Sequence, residues 1–109
     1  MVQEESSNYD AFAALYNRHW GPKTPGKFLP ILREYFLPDV PSHQTLLDVC
    51  CGTGQLDHAL HTIGYKVTGI DASEEMVRYA RLNAPACAFV VADVRDFSVD
   101  EPFDGALCM

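Results

Sequence analysis

Three aspartates and two glycines are the residues of this 109-residue chain whose types and spacing can do chemistry together. Asp48 sits inside the apolar run Leu46-Leu47-Asp48-Val49, which breaks into Gly52-Thr53-Gly54 and restarts as an amphipathic segment. Asp71 ends a second apolar run and Asp93 a third. A buried strand, a glycine turn and a helix N-terminus in that order predict a nucleotide-type cofactor site. A side chain at Gly52 or Gly54 would keep a ligand off the backbone. The free N–H groups of the following helix supply donors and partial positive charge.

The elements that must position these residues can be read from periodicity. Tyr9, Phe12, Ala13, Tyr16 and Trp20 recur at helical spacing between Ser6 and Trp20, and Gly21-Pro22 ends the run. That stripe either packs on the domain or forms a lid over the cofactor, with Tyr9 or Tyr16 near it. A second helix is expected after Thr24-Pro25, as cap and first position, using Phe28, Leu29, Ile31, Leu32, Tyr35 and Phe36. Pro30 predicts that it starts later, near Lys27, or kinks. Residues 37–42 read as a linker. Thr45–Cys51 reads as a strand and Gln55–Ile63 as a helix with Leu56, Ala59, Leu60 and Ile63 inward, closed by Gly64. Tyr65–Asp71 is a second strand. Ser73 caps a helix to about Leu82 in which Met76, Val77 and Ala80 turn inward. Cys87–Asp93 is a third strand and Phe103–Met109 begins a fourth.

Strands alternating with helices predict an α/β fold with a doubly wound parallel sheet. Right-handed crossovers order its strands third, second, first, fourth, and ligands bind at the reversal between first and fourth, beyond the carboxyl ends. Asp48, Gly52, Asp71 and Asp93 all fall at or near those ends.

Composition narrows the function. A formal charge of −7 and a pI near 4.8 disfavour phosphate backbones, so no nucleic-acid partner is expected. The plain reading of the acid excess is solubility. No apolar run approaches the roughly 20 residues that cross a bilayer, so no membrane partner is expected either. The acidic N-terminus does not read as a secretory signal. Cys50 and Cys51 are neighbours, a rare disulfide geometry, and all four cysteines lie in apolar strand-like contexts. No C-x-x-C or Cys/His ligand pattern is present, so no metal is expected and a reducing cytoplasm is the expected location. His58 and His61, three residues apart, read as a solvated pair on a polar helix face rather than as ligands.

The glycine spacing does not suit a dinucleotide. In a G-x-G-x-x-G frame set on Gly52 and Gly54 the third glycine is Asp57, a carboxylate that would face a pyrophosphate. The frame one pair earlier begins on Cys50 and ends on Gln55. The phosphate loop G-x-x-x-x-G-K-[ST] is absent. A phosphate-free cofactor carrying a sulfonium cation is compatible with Asp48 and an acidic pocket.

At this point the chain resembles the class I S-adenosylmethionine-dependent methyltransferases. LLDVCCGTGQL is similar to that family's first motif, with Cys50 where a glycine is usual; VTGIDAS is similar to the second, FVVADVRDF to the third and PFDGALCM to the start of the fourth. The match runs from about Thr45 to Met109, and YDAFAALYNRHW resembles the leading helix of small-molecule methyltransferases. The resemblance implies that Asp71 holds the ribose hydroxyls, Asp93 the adenine amino group and Val94 its ring or edge. Asp48, Cys50, Gly52, Gly54, Ala72, Met76, Tyr9 and Tyr16 complete the implied cofactor site. Each aspartate keeps a plainer alternative: Asp71 as a helix cap, Asp93 as a turn acid, Asp48 as an anchor that hydrogen-bonds the glycine turn. Residues 1–44 are then a helical lead-in or lid, and residues 45–109 the first half of an incomplete Rossmann-like domain. No general base is legible, and S-adenosylhomocysteine would be the product. A small-molecule methyl acceptor is expected, along with self-association through the apolar fourth-strand edge. Two further readings stay open: a non-catalytic methyltransferase-like binding module and a nicotinamide-dependent oxidoreductase.

Overall fold

The computed structural model describes residues 2–98 and 102–109, with side chains described from residue 11 onward. Helix α1 spans Val2–His19, and a 3-10 turn at Gly21–Lys23 leads straight into α2, Thr24–Tyr35. Thr24 does not cap α2. Its hydroxyl donates to the carbonyls of Gly21 at 2.7 Å and Trp20 at 3.2 Å, closing the turn between the helices. Pro30 neither delays nor ends α2. It lies on the exposed side, as does Gly26, whose carbonyl lacks the N–H that Pro30 cannot give.

Strands β1 (Thr45–Val49), β2 (Lys66–Asp71), β3 (Ala88–Val91) and β4 (Gly105–Leu107) form one parallel sheet in the order β3-β2-β1-β4, as the crossover rule requires. Helix α3 (Gln55–Thr62) connects β1 to β2, and α4 (Glu74–Asn83) connects β2 to β3. Thr45 and Asp104 staple the start of β1 to β4: the Thr45 N–H and hydroxyl donate to Asp104 Oδ2 at 2.8 and 3.0 Å, and the Asp104 N–H returns to Thr45 Oγ1 at 3.0 Å.

The register shows how the sheet is covered. Leu46, Asp48, Val67, Gly69, Phe89 and Leu107 are buried and lie across from one another on one face. There Leu32, Leu37, Val40, Leu46, Leu56, Leu60, Tyr65, Val67 and Leu107 make the larger core cluster, and Cys51, Val77, Ala80, Ala84 and Phe89 the smaller. The alternating positions Leu47, Val49, Thr68, Val90 and Ala106 are half-buried or exposed, with Ile70 the buried exception. The described helices therefore cover one face of the sheet, and the second helical layer of a doubly wound fold is not among them. The accessible surface, 6918 Å², exceeds the roughly 6000 Å² typical of a compact chain of this mass.

Candidate functional site

The turn after β1 is built on left-handed backbone. Cys50, Gly52 and Gly54 have φ of 64°, 58° and 82°, which is why β1 stops at Val49 rather than continuing through Cys51. The two glycines are needed for different reasons. At Gly52 an added Cβ would meet the Tyr16 ring at 3.4 Å, so its bare backbone lies under an aromatic side chain of α1. At Gly54 a Cβ would come within 2.9 Å of the Ala80 Cα. Gly54 thus lets α3 and α4 approach, and ligand access is not what its missing side chain serves.

Asp71, at the end of β2, clasps this turn. Its Oδ2 accepts from the Gly52 N–H at 3.1 Å and its Oδ1 from the Ser73 N–H at 2.9 Å, while Ser73 Oγ caps α4 by accepting from the Met76 N–H at 3.2 Å. Each carboxylate oxygen keeps a lone pair for a further donor. The turn-anchoring role considered for Asp48 belongs to Asp71, since no described backbone N–H donates to Asp48.

A side-chain network that periodicity did not reveal docks α1 on this turn. Asn17 Oδ1 accepts from Gln55 Nε2 at 2.9 Å and Asn83 Nδ2 at 2.6 Å, and Asn83 Nδ2 also donates to the Thr53 carbonyl at 2.9 Å. The available signal was spacing: Asn17 stands one helical turn beyond the fully buried Ala13, on the face of α1 that meets α4.

Between α1, α2 and the end of β1 lies a cleft lined by Tyr16, Thr24, Phe28, Asp48, Cys50, Cys51, Thr53, Gln55, Leu56 and Met109. It unites three of the expected residues, Tyr16, Asp48 and Cys50, with Gly52 and Asp71 adjoining. Ala72 and Val94 are exposed, Met76 and Asp93 half-buried, and none of these four lines the cleft. Asp93 starts the turn after β3: Arg95 binds it through its backbone N–H at 2.9 Å and its guanidinium at 2.6 and 3.0 Å, which holds the carboxyl below the usual range. The side chain of Tyr9 lies outside the described residues.

The electrostatics of the cleft are one-sided. Burial, with the Asp71 charge adding to it, raises the Asp48 carboxyl, which a hydrogen bond from Asp57 partly offsets. Burial first, then Asp57, Asp48 and Asp71, push the Cys51 thiol far up. Burial and Asp57 raise Cys87 to about 11. Cys50, expected in a strand-like apolar setting, is exposed at the mouth, and Cys108 is exposed as well. His58 and His61 are exposed on α3. Asp57 is the largest departure. It is fully buried and absent from the cleft lining, so it faces no ligand, and it does not supply the objection to a pyrophosphate.

A parallel sheet that reverses between β1 and β4, with a glycine turn under an aromatic helix and an acid closing the next strand, defines a Rossmann-like nucleotide-binding fold of the methyltransferase kind. Residues 46–109 match the family described as methyltransferase domain, and the chain belongs to the class I S-adenosylmethionine-dependent methyltransferases. It is 37% identical over 123 aligned residues to a ubiquinone biosynthesis O-methyltransferase of Xanthomonas campestris pv. campestris (strain B100), covering 98% of this chain and 52% of that protein. It is 33% identical over 101 residues to a dTDP-4-amino-2,3,4,6-tetradeoxy-D-glucose N,N-dimethyltransferase of Saccharopolyspora spinosa, covering 93% and 39%. Among solved structures, the DhpI–SAH complex shares the fold with a TM-score of 0.71 at 22% identity over 99% of this chain and 52% of that one. The chain spans about half the length of the curated relatives it matches.

Proposed function

We propose that this chain forms the cofactor-binding part of an enzyme that moves a methyl group from S-adenosylmethionine to a small-molecule acceptor. The observation that carries the reading is the Asp71 clasp: a carboxylate at a strand end, tied to the glycine turn and still able to accept from two hydroxyls. Family membership gives the cofactor, and the acidic cleft suits a cation. When bound, S-adenosylmethionine supplies a methyl group on a sulfonium, already a good leaving group for in-line displacement. The residues here bind and orient it. Asp71 would accept the ribose hydroxyls, and the bare backbone at Gly52 admits close approach. Ala72, Met76 and Val94 would flank the adenosine, and Asp93 would accept from the adenine amino group once Arg95 yields it. Tyr16 would cover the site and exclude water, a contribution of several kcal/mol that needs no charged catalyst.

The relatives named above are an O-methyltransferase of ubiquinone biosynthesis and an N,N-dimethyltransferase of a dTDP-linked amino sugar, which supports a small acceptor over nucleic acid. A cytoplasmic location fits that reading; no helix among the described residues is long and apolar enough to cross a membrane. The outer edge of β4 is unpaired among the described residues, and self-association through it is part of the proposal. Light scattering at high concentration that finds only monomer would remove that part. Calorimetry with S-adenosylmethionine and S-adenosylhomocysteine tests the main reading: Asp71→Ala should weaken both at least tenfold. No binding to folded wild-type protein would instead favour a non-catalytic interaction module.

A further inference from the structure

Asp57 stands at the third position of α3, where an acid ordinarily accepts from the open N–H groups of the first turn. Here it does not. Both of its carboxyl oxygens are buried without a donor among the described residues. Its hydrogen-bond neighbour is another carboxyl, that of Asp48, itself 3% exposed and lining the cleft. Two carboxylates cannot satisfy each other, because both only accept; a carboxylic acid and a carboxylate can. The remaining groups that bear on the pair are Asp71 at the end of β2, Cys50 and Cys51 in the turn and Cys87 before β3, none of them cationic. Neither described ion pair involves these residues. One proton between the two acids gives the pair a hydrogen bond and avoids a double charge in the core.

We infer that Asp57 is a positioning residue of the cofactor site: a neutral acid whose proton is donated to Asp48, holding the Asp48 carboxylate charged and facing the cleft. The proton belongs on Asp57 because it is the deeper of the two, fully buried, whereas Asp48 lines the cleft. Burial followed by the Asp48 hydrogen bond and charge raises Asp57 in the same sense. The inference rests on the proposed cofactor reading for its purpose, and for its existence on two buried acids, one with both oxygens lacking a donor among the described residues.

Two measurements on the intact protein test it. In the ligand-free state, 13C NMR of labelled aspartate carboxyls should show one acid still protonated at pH 7, and its signal should vanish in Asp57→Asn. Ionisation of every aspartate by pH 7 would overturn the inference, whatever binds. By calorimetry, Asp57→Leu should weaken S-adenosylmethionine at least tenfold, since Asp48 then keeps no donor and takes up the proton itself. Asp57→Asn, which restores an N–H donor, should recover affinity to within about threefold of wild type. Wild-type affinity in Asp57→Leu, or no recovery in Asp57→Asn, would overturn the positioning role. A wild-type protein that binds no S-adenosylmethionine would sink the cofactor reading while the carboxyl signal still decides whether the pair shares a proton.

Discussion

Cys50 holds a left-handed backbone conformation, φ 64°. A Cβ in that region costs about 1 kcal/mol, and the exposed thiol recovers little by packing. Cys50→Gly should therefore raise stability by roughly 0.5–1 kcal/mol, read as a higher urea midpoint with unchanged slope; a lower midpoint would mean that the thiol packs usefully at the mouth. Asp57 makes a second prediction at this scale. Unfolded, it loses its proton near pH 4; folded, it keeps it well above that. The folded state binds the extra proton, so this contribution to stability is greatest below about pH 4 and declines as pH rises toward the folded value. Asp57→Asn removes the decline. Its stability relative to wild type should grow by about 1.4 kcal/mol per pH unit at most, so that denaturant unfolding at pH 8 shows a wider gap than at pH 5. An equal gap at both pH values would contradict a retained proton.

Between helices and strands, what the sequence disclosed and what it hid divide along a physical line. Alternating strands and helices, strand order and the glycine turn follow from local patterning, and the fold has them. Residues whose roles depend on partners far along the chain were not legible. Thr24 looks like a cap but closes a turn with Trp20 and Gly21, because α2 enters from backbone already helical. Gly54 looks like a ligand cradle but answers to Ala80, 26 positions away in the sequence. Asp57 reads as a carboxylate that would face a pyrophosphate, and only the packing of α3 on β2, α2 and α4 goes with its burial. The cofactor assignments for Asp93, Val94, Ala72 and Met76 still rest on motif likeness rather than on convergence in the cleft. The Asn17 network belongs to the same class of long-range contact and joins α1 to both the glycine turn and α4. Asn17→Ala would leave Gln55 and Asn83 short of an acceptor, at a cost on the order of 1–3 kcal/mol. Hydrogen exchange should show α1 amides losing protection by tenfold or more while β1 and β2 are unchanged; uniform loss across the sheet would show that α1 is not docked through this residue.

The molecule as a whole carries a charge of −7 and a sheet dressed on one side. Leu47, Val49, Val90 and Ala106 stand on the less covered face, so part of the apolar surface that a chain of 109 residues would ordinarily hide is already wet before unfolding begins. Calorimetric unfolding should then show a heat-capacity increment clearly below the about 1.3–1.6 kcal/mol/K usual for that length. A full-sized increment would mean that water is kept from this face in solution. Melting would also be unusually sensitive to agents that wet or shield hydrocarbon, because Val90 and Ala106 meet solvent on a face that no helix among the described residues covers.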